Sequence, residues 1–212
     1  MTKYFIAVAG NIGIGKSTLT SLLGERLKWE PFFEGETGNP YLADFYEDMP
    51  RWSFHSQVFF LARRLSHHRQ LLDRPNSVIQ DRTVYEDAEV FARNLSQQGL
   101  MNERDYETYM ELYRAVVSIL PPPNLVIYLR ATVATLQARI HLRGRSYERR
   151  ISNTYLEQLN RLYEEWLEDF TRCPVLTIPA DQLDFVANHD HLDLIADRIQ
   201  ERLQGKEVVE LG

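Results

Sequence analysis

Gly10-Asn11-Ile12-Gly13-Ile14-Gly15-Lys16-Ser17, placed directly after the apolar run Tyr4 to Ala9, satisfies the phosphate-binding pattern G-x-x-x-x-G-K-[ST] at every fixed position. Glycines at 10, 13 and 15 let the backbone curl until successive N–H groups point inward at phosphate oxygens. Lys16 then reaches the β- and γ-phosphates, and Ser17 offers a hydroxyl to Mg²⁺. The helix expected over Ser17 to Lys28 directs its positive dipole end at the anion. Strand, glycine loop and helix in that order predict an α/β fold that binds a nucleoside triphosphate.

The rest of the 212 residues bounds the class of protein. Their 24 Lys and Arg against 30 Asp and Glu give a formal charge of −6 and a sequence pI near 5.6. A chain that coats nucleic acid or lies on a membrane needs a dominant basic face, so neither partner is expected and a small soluble substrate fits better. A hydrophobic content of 44% suffices for one domain spanning residues 1–212. The single cysteine, Cys173, excludes an internal disulfide framework and suits a reducing cytosol. No apolar span approaches membrane length and the first residues offer no export leader, so a cytoplasmic location is expected.

Short apolar runs recur at Tyr4 to Ala9, Ser77 to Gln80, Leu125 to Leu129 and Val175 to Ile178. With a short strand at Pro31 to Phe33 they predict a five-stranded parallel sheet flanked by helices. Helical periodicity covers Ser53 to Leu72, Glu86 to Gln97, Glu103 to Ile119, Val133 to Leu142, Asn153 to Phe170 and His189 to Leu203. Pro121-Pro122-Pro123 ends one helix and launches the strand at Leu125. The helices Ser53 to Leu72 and Arg104 to Leu120 carry more apolar residues than one core-facing stripe needs. That excess predicts a helix-to-helix homodimer, with ordinary core packing as the competing account.

A triphosphate site alone does not separate a kinase from a GTPase, so the acceptor side must decide. In Val78-Ile79-Gln80-Asp81-Arg82-Thr83 an apolar strand ends in an acid followed by a base. At the carboxyl edge of a parallel sheet Asp81 can hold Mg²⁺ water and Arg82 can neutralise a transferring phosphoryl group; a surface ion pair is the alternative. Glu34, just past the short strand, can take a proton from an attacking hydroxyl, with Glu36 and Glu30 as rivals. In Arg51-Trp52-Ser53-Phe54-His55-Ser56-Gln57-Val58-Phe59-Phe60-Leu61-Ala62-Arg63-Arg64, residues Gln57, Phe60 and Arg64 project along one helical face. An amide, an aromatic plane and a guanidinium together suit a nucleobase. His55, His67 and His68 lack a partner set for a metal and read as structural. Finally Arg139, Arg143, Arg145, Arg149 and Arg150 cluster around Gly144 and Glu148, an arrangement able to close over phosphates.

Taken in this order, the stretches closely resemble the deoxyribonucleoside kinase family, which shares the fold of thymidylate and other nucleoside monophosphate kinases. The likeness spans nearly the whole chain: the loop Gly10 to Ser17, Glu34, Trp52 to Gln57, Asp81-Arg82-Thr83 and the lid stretch Arg139 to Arg145. It implies a P-loop nucleoside kinase with an Arg-rich lid over about residues 143–151, transferring phosphate from ATP to the 5′-hydroxyl of a deoxyribonucleoside. Residue by residue, Glu34 is implied as the general base and Arg82 as its neighbour on the same oxygen. Tyr46 and Glu148 are implied on the 3′-hydroxyl. Gln57, Phe60, Arg64, Asp87 and Phe91 are implied around the base. ATP would lie on Gly10, Asn11, Ile12, Gly13, Ile14, Gly15, Lys16, Ser17 and Thr18. It would be gripped by Arg139, Arg143 and Arg145, with its adenine against Asp181 to Phe185, in particular Asp184 and Phe185. Ser17 and Asp81 would share the magnesium. Relatives with Arg and Asp at positions 64 and 87 accept purine deoxynucleosides or deoxycytidine, so deoxyadenosine is expected first.

Three departures mark this chain. Glu34-Gly35-Glu36 replaces the family's usual Glu-Pro-Val or Glu-Ser-Val, Tyr147 replaces an acid in the lid, and Phe60 is bulkier than its counterpart in some relatives. A nucleoside monophosphate kinase would need extra cations for its acceptor phosphate, and a regulatory P-loop NTPase that binds guanine would carry an Asn-Lys-x-Asp motif, which is absent here.

Overall fold

The apolar run near the N-terminus forms β1 (Phe5–Gly10), and every one of its residues is buried. It is the central strand of a parallel sheet covered on both faces, which removes the alternation that a half-exposed strand would show. In this computed structural model, which describes residues 2–33, 39–145, 148 and 151–204, the other strands are β2 (Glu30–Phe32), β3 (Val78–Asp81), β4 (Leu125–Arg130) and β5 (Val175–Pro179). Their order is β2-β3-β1-β4-β5, with every pairing parallel. The five-stranded parallel sheet expected from the apolar runs is therefore the one observed, its boundaries within one residue of those expected.

The register explains how the site is assembled. Val8 of β1 pairs with Asp81 of β3, so the glycine loop and the Asp81-Arg82 turn leave neighbouring strands at one edge of the sheet. β2 pairs with β3 through Phe32 and Gln80, which carries the chain toward that same edge.

Helices cover both faces. α1 (Lys16–Leu27) packs on β1, β2 and β3. Leu156, Leu159 and Tyr163 of α8 (Asn153–Asp169) share one core with Ile6, Val8, Ile127 and Leu129 of the sheet, and so do Leu192, Ile195 and Ile199 of α9 (His189–Gln204). Each such side chain contributes about 1.5–3 kcal/mol on leaving water. Local chemistry sets the boundaries of α6 (Glu103–Ile119), α7 (Val133–Arg143) and α8. Asn102, Thr132 and Ser152 each accept a hydrogen bond from the backbone N–H three residues on. Gly144 ends α7 at φ 72°, in the left-handed region.

Three local features depart from the expected pattern. A short helix, α2 (Leu42–Glu47), precedes α3 (Met49–Leu72), which starts four residues before Ser53 because the Asp48 side chain accepts from Arg51 N and Pro50 occupies the first turn. The helix expected over Glu86 to Gln97 is instead one turn of α4 (Val84–Glu86), a π-helical segment (Asp87–Ala92) and α5 (Arg93–Gln97). On the outside, Leu72 of α3 and Leu112 and Ile119 of α6 stay exposed. Among the described residues no helix is long and apolar enough to cross a membrane.

Gly10, where β1 turns into the loop, has φ 146°, and a Cβ there would stand 2.8 Å from the backbone oxygen of Leu129. Gly99 also has positive φ, 68°, but open space around it. Gly10→Ala therefore loses about 2–4 kcal/mol, strain and clash together, whereas Gly99→Ala loses about 1. Urea unfolding of the two variants side by side measures the difference.

Candidate active site

The loop between β1 and α1 is shaped as an anion cradle. Gly13 (φ 80°) and Gly15 (φ 103°) hold conformations that side chains resist, and a Cβ on Gly13 would strike Ile140 Cγ1 at 2.5 Å. Lys16, itself buried, donates from Nζ to Gly10 O at 2.8 Å and Asn11 O at 2.9 Å, so its ammonium lies across the cradle. The Asn11 side chain braces the loop against α8: Nδ2 donates to Leu156 O and Asn160 Oδ1, and Oδ1 accepts from Ile12 N. Asn11 and the buried Ile14 thus support the cradle from within, while Ile12, Gly13, Gly15, Lys16, Ser17 and Thr18 form its wall. Ser17 Oγ donates to Asp81 Oδ2 at 2.5 Å. A hydroxyl beside a carboxylate at the mouth of an anion cradle is a donor set that fits a hard divalent cation.

The cradle opens into a cavity of about 850 Å³. α2 contributes Tyr46 to it, α3 contributes Gln57 and Phe60, and the turn after β3 with the π-helical segment contributes Asp81, Arg82, Asp87 and Phe91. Gln57 is 4% exposed, and its Oε1 has no hydrogen-bond partner among the described residues. A buried carbonyl oxygen left bare costs roughly 1–3 kcal/mol unless a ligand supplies a donor. Arg64 does not line the cavity. It is buried with Nε 3.0 Å from Asp87 Oδ2 and Nη1 3.5 Å from Asp81 O, so its charge reaches the wall through Asp87.

Arg82 has φ 68°, the left-handed region that a branched, long side chain avoids. Its guanidinium lies 4.5 Å from the centre of the Phe91 ring and donates to Tyr163 Oη at 3.2 Å. Burial pushes the Tyr163 phenol well up, so it remains a neutral hydroxyl.

The far wall carries the arginine cluster. Arg139 donates to Ile14 O at 2.6 Å and to Ala180 O at 2.9 Å, tying α7 to the loop and to the end of β5. Arg143 makes a two-pronged bond to Glu148, Nη2 to Oε1 at 2.5 Å and Nε to Oε2 at 3.1 Å, and Arg145 approaches Oε1 at 3.5 Å. Glu148 itself is buried. Phe185 packs its ring 3.4 Å from where a Gly15 Cβ would lie. Asp184 accepts from Val186 N and Ala187 N, and those two bonds hold its carboxyl below the usual range. Asp184 thereby shapes its own loop. Leu142, Val186 and His191 also line the cavity and carry no pattern that singles them out in the sequence.

Glu34 and Glu36 lie outside the described residues, as do Tyr147, Arg149 and Arg150. The remaining rival, Glu30, begins β2 at the opposite edge of the sheet, 3.4 Å from Arg74, so it does not face the cleft. Burial pushes the Cys173 thiol up to about 11, which leaves it unreactive. Among the described residues no cluster of His, Cys, Asp and Glu could hold a metal on its own. Two buried groups were not anticipated, Glu86 and Tyr163; only Glu86 has a sequence signal, the Thr83-x-x-Glu86 capping pattern.

A glycine cradle at the carboxyl edge of a parallel sheet, facing arginines across one cavity, defines a P-loop phosphotransferase of the nucleoside kinase fold. The family model described as deoxynucleoside kinase matches residues 6–204. The chain is 38% identical over 196 residues to the deoxyadenosine/deoxycytidine kinase of Bacillus subtilis, covering 92% of this chain and 90% of that one. It is 34% identical over 208 residues to the deoxyadenosine kinase of Lactobacillus acidophilus, covering 94% and 96%. The solved structure of deoxyadenosine kinase from M. mycoides with bound dATP matches with a TM-score of 0.81 at 31% identity, over 93% of this chain and 100% of that one. The chain belongs to the deoxynucleoside kinase family and is an enzyme that phosphorylates a nucleoside.

The buried Arg64–Asp87 pair sets up a stability test. Asp87→Ala strips the guanidinium of its carboxylate and costs about 3–5 kcal/mol, while Arg64→Met combined with Asp87→Leu costs less than the single change. Denaturant unfolding of the single and double variants checks the order.

Proposed function

We propose that the enzyme transfers the γ-phosphoryl group of ATP to the 5′-hydroxyl of deoxyadenosine, and also accepts deoxyguanosine or deoxycytidine. The observation that carries this reading is the Gln57 amide: a buried side chain on the wall of the cavity that also holds the phosphate cradle, with no hydrogen-bond partner for its Oε1 among the described residues. Adenine and cytosine each offer an exocyclic amine beside a ring acceptor, which matches an amide carbonyl and N–H₂ group. The names of the relatives support the same bases, and structures of the M. mycoides enzyme are described with dATP in one and dCMP in another.

In this reading Glu34 takes the proton from the 5′-hydroxyl, and Arg82 sits beside the same oxygen. Tyr46 and Glu148 hold the 3′-hydroxyl, while Phe60, Asp87 and Phe91 enclose the base with Gln57. Lys16, Arg139, Arg143 and Arg145 spread the developing charge, with residues 143–151 acting as a lid within one domain spanning the chain. Ser17 and Asp81 hold Mg²⁺, which when bound supplies positive charge against the phosphate oxygens. There is little covalent work for the protein, so rate comes from positioning and charge neutralisation. The exposed Leu72, Leu112 and Ile119 on the packed pair α3 and α6 support a homodimer through those helices. The composition supports a cytoplasmic enzyme that binds neither nucleic acid nor membrane.

A panel of nucleosides and monophosphates with labelled ATP tests the reading. Transfer is expected to deoxyadenosine first; transfer only to monophosphates, or only to water, overturns it. Glu34→Gln is expected to keep nucleoside binding while lowering kcat by about 10² or more, read by calorimetry and steady-state kinetics together. Near-normal turnover in that variant removes Glu34 from the mechanism.

A further inference from the structure

Glu86 and Tyr163 are both fully buried, and neither lines the cavity. They nevertheless join the cradle to the acceptor side. Glu86 Oε2 accepts from Thr83 N at 2.7 Å while Thr83 Oγ1 accepts from Glu86 N at 3.3 Å, a capping box that locks the turn containing Arg82. Glu86 Oε1 accepts from Gly10 N at 3.2 Å and stands 3.6 Å from Arg82 Nη1. Tyr163 Oη lies 2.7 Å from Glu86 Oε1 and 2.8 Å from Gly10 O, and it accepts from Arg82 Nη1 at 3.2 Å. The phenol has one proton for two acceptors, so it donates to the carboxylate or to the carbonyl. Either way both backbone groups of Gly10 face this pair.

A capping box alone does not account for the arrangement. Capping a helix start stabilises only modestly and does not require a carboxylate withdrawn from water. Taking a carboxylate fully out of water is costly, and the cost is offset here because Oε1 is also held by Gly10, Tyr163 and the Arg82 cation. Those added partners are the first residue of the phosphate loop and the residue at positive φ that carries the acceptor-side guanidinium.

We propose that Glu86 and Tyr163 are positioning residues for phosphoryl transfer: they fix the Arg82 guanidinium relative to Gly10, and so the acceptor oxygen relative to the phosphates. The proposal rests on the role of Arg82 given above. A displacement of about 1 Å in such a constellation costs on the order of 10²-fold in rate. Tyr163→Phe removes only the hydroxyl and keeps the ring stacked on Tyr128, at 5.6 Å between centroids. Glu86→Gln puts an N–H₂ group against the Thr83 or the Gly10 N–H.

The test is a double-mutant cycle on kcat with ATP and deoxyadenosine. It is run as single turnovers with labelled ATP below the melting temperature of each variant, so that slow variants remain measurable. Tyr163→Phe is expected to lower kcat about tenfold and Glu86→Gln about 10²-fold, with the nucleoside KM within about twofold of wild type. In an Arg82→Ala background each loss shrinks to less than about threefold, because the residue through which they act is gone. A merely structural role would lower both backgrounds equally, and that result overturns the proposal, as does an unchanged kcat in Tyr163→Phe. If Arg82→Ala itself leaves kcat unchanged, the role of Arg82 fails and the proposal fails with it. A normal dependence on Arg82 with full losses in both backgrounds overturns the proposal alone.

Discussion

Neighbouring strands in a parallel sheet must end at the same edge, and in this enzyme that constraint brings donor and acceptor chemistry together. β1 ends in the glycine loop, and β3, its hydrogen-bonded neighbour, ends in Asp81-Arg82. The contact between Ser17 and Asp81 is the direct product, since Asp81 ends β3 and Ser17 follows β1 by a loop of fixed length. The acid therefore meets the loop hydroxyl through register, without a long flexible arm. Changing the β1–β3 pairing by one residue would turn Asp81 to the other face and separate the two oxygens.

Cationic side chains line the cleft, and protein acceptors hold them in place. Lys16 lies on two loop carbonyls, Arg139 on two others, Arg143 on Glu148, and Arg82 between Tyr163 and Glu86. A cation already oriented by fixed dipoles needs little reorganisation when phosphate charge develops, which is where electrostatic catalysis gains over water. The same anchoring restrains mutual repulsion among the arginines in a chain whose overall charge is −6. Carboxylates share the lining with these cations: Asp81, Asp87, Glu148, Asp181 and Asp184 stand beside Lys16, Arg82, Arg139, Arg143 and Arg145.

What the sequence disclosed and what it concealed follow from the range of the interactions involved. The cradle was legible because eight consecutive residues encode it. The starts of α6, α7 and α8 follow from side chains acting three residues away. The cluster of Arg143, Arg145 and Glu148 was legible as a group within six residues. Tyr163 was not, because its partners Gly10 and Glu86 lie 153 and 77 residues away and nothing near it differs from an ordinary amphipathic helix. Helical spacing and the family resemblance both set Arg64 beside the base. Spacing fixes a face of the helix, but the Asp87 carboxylate that captures the side chain comes from another element.

The π-helical segment shows why local spacing can mislead within a helix as well. Periodicity over Glu86 to Gln97 predicted ordinary winding, in which residues three and four apart share a face. From Asp87 to Ala92 the chain bonds i to i+5 instead, so residues four and five apart come into line. Asp87 and Phe91, four apart, still share a face and both reach the cavity wall, while Glu86, one residue before the segment, turns inward to Gly10 and Tyr163. The Phe91 ring is then free to serve two purposes: one face receives the Arg82 guanidinium and the ring still borders the cavity. A buried carboxylate and a cavity-lining one thus stand on consecutive residues, Glu86 held by Gly10 and Tyr163 and Asp87 by Arg64.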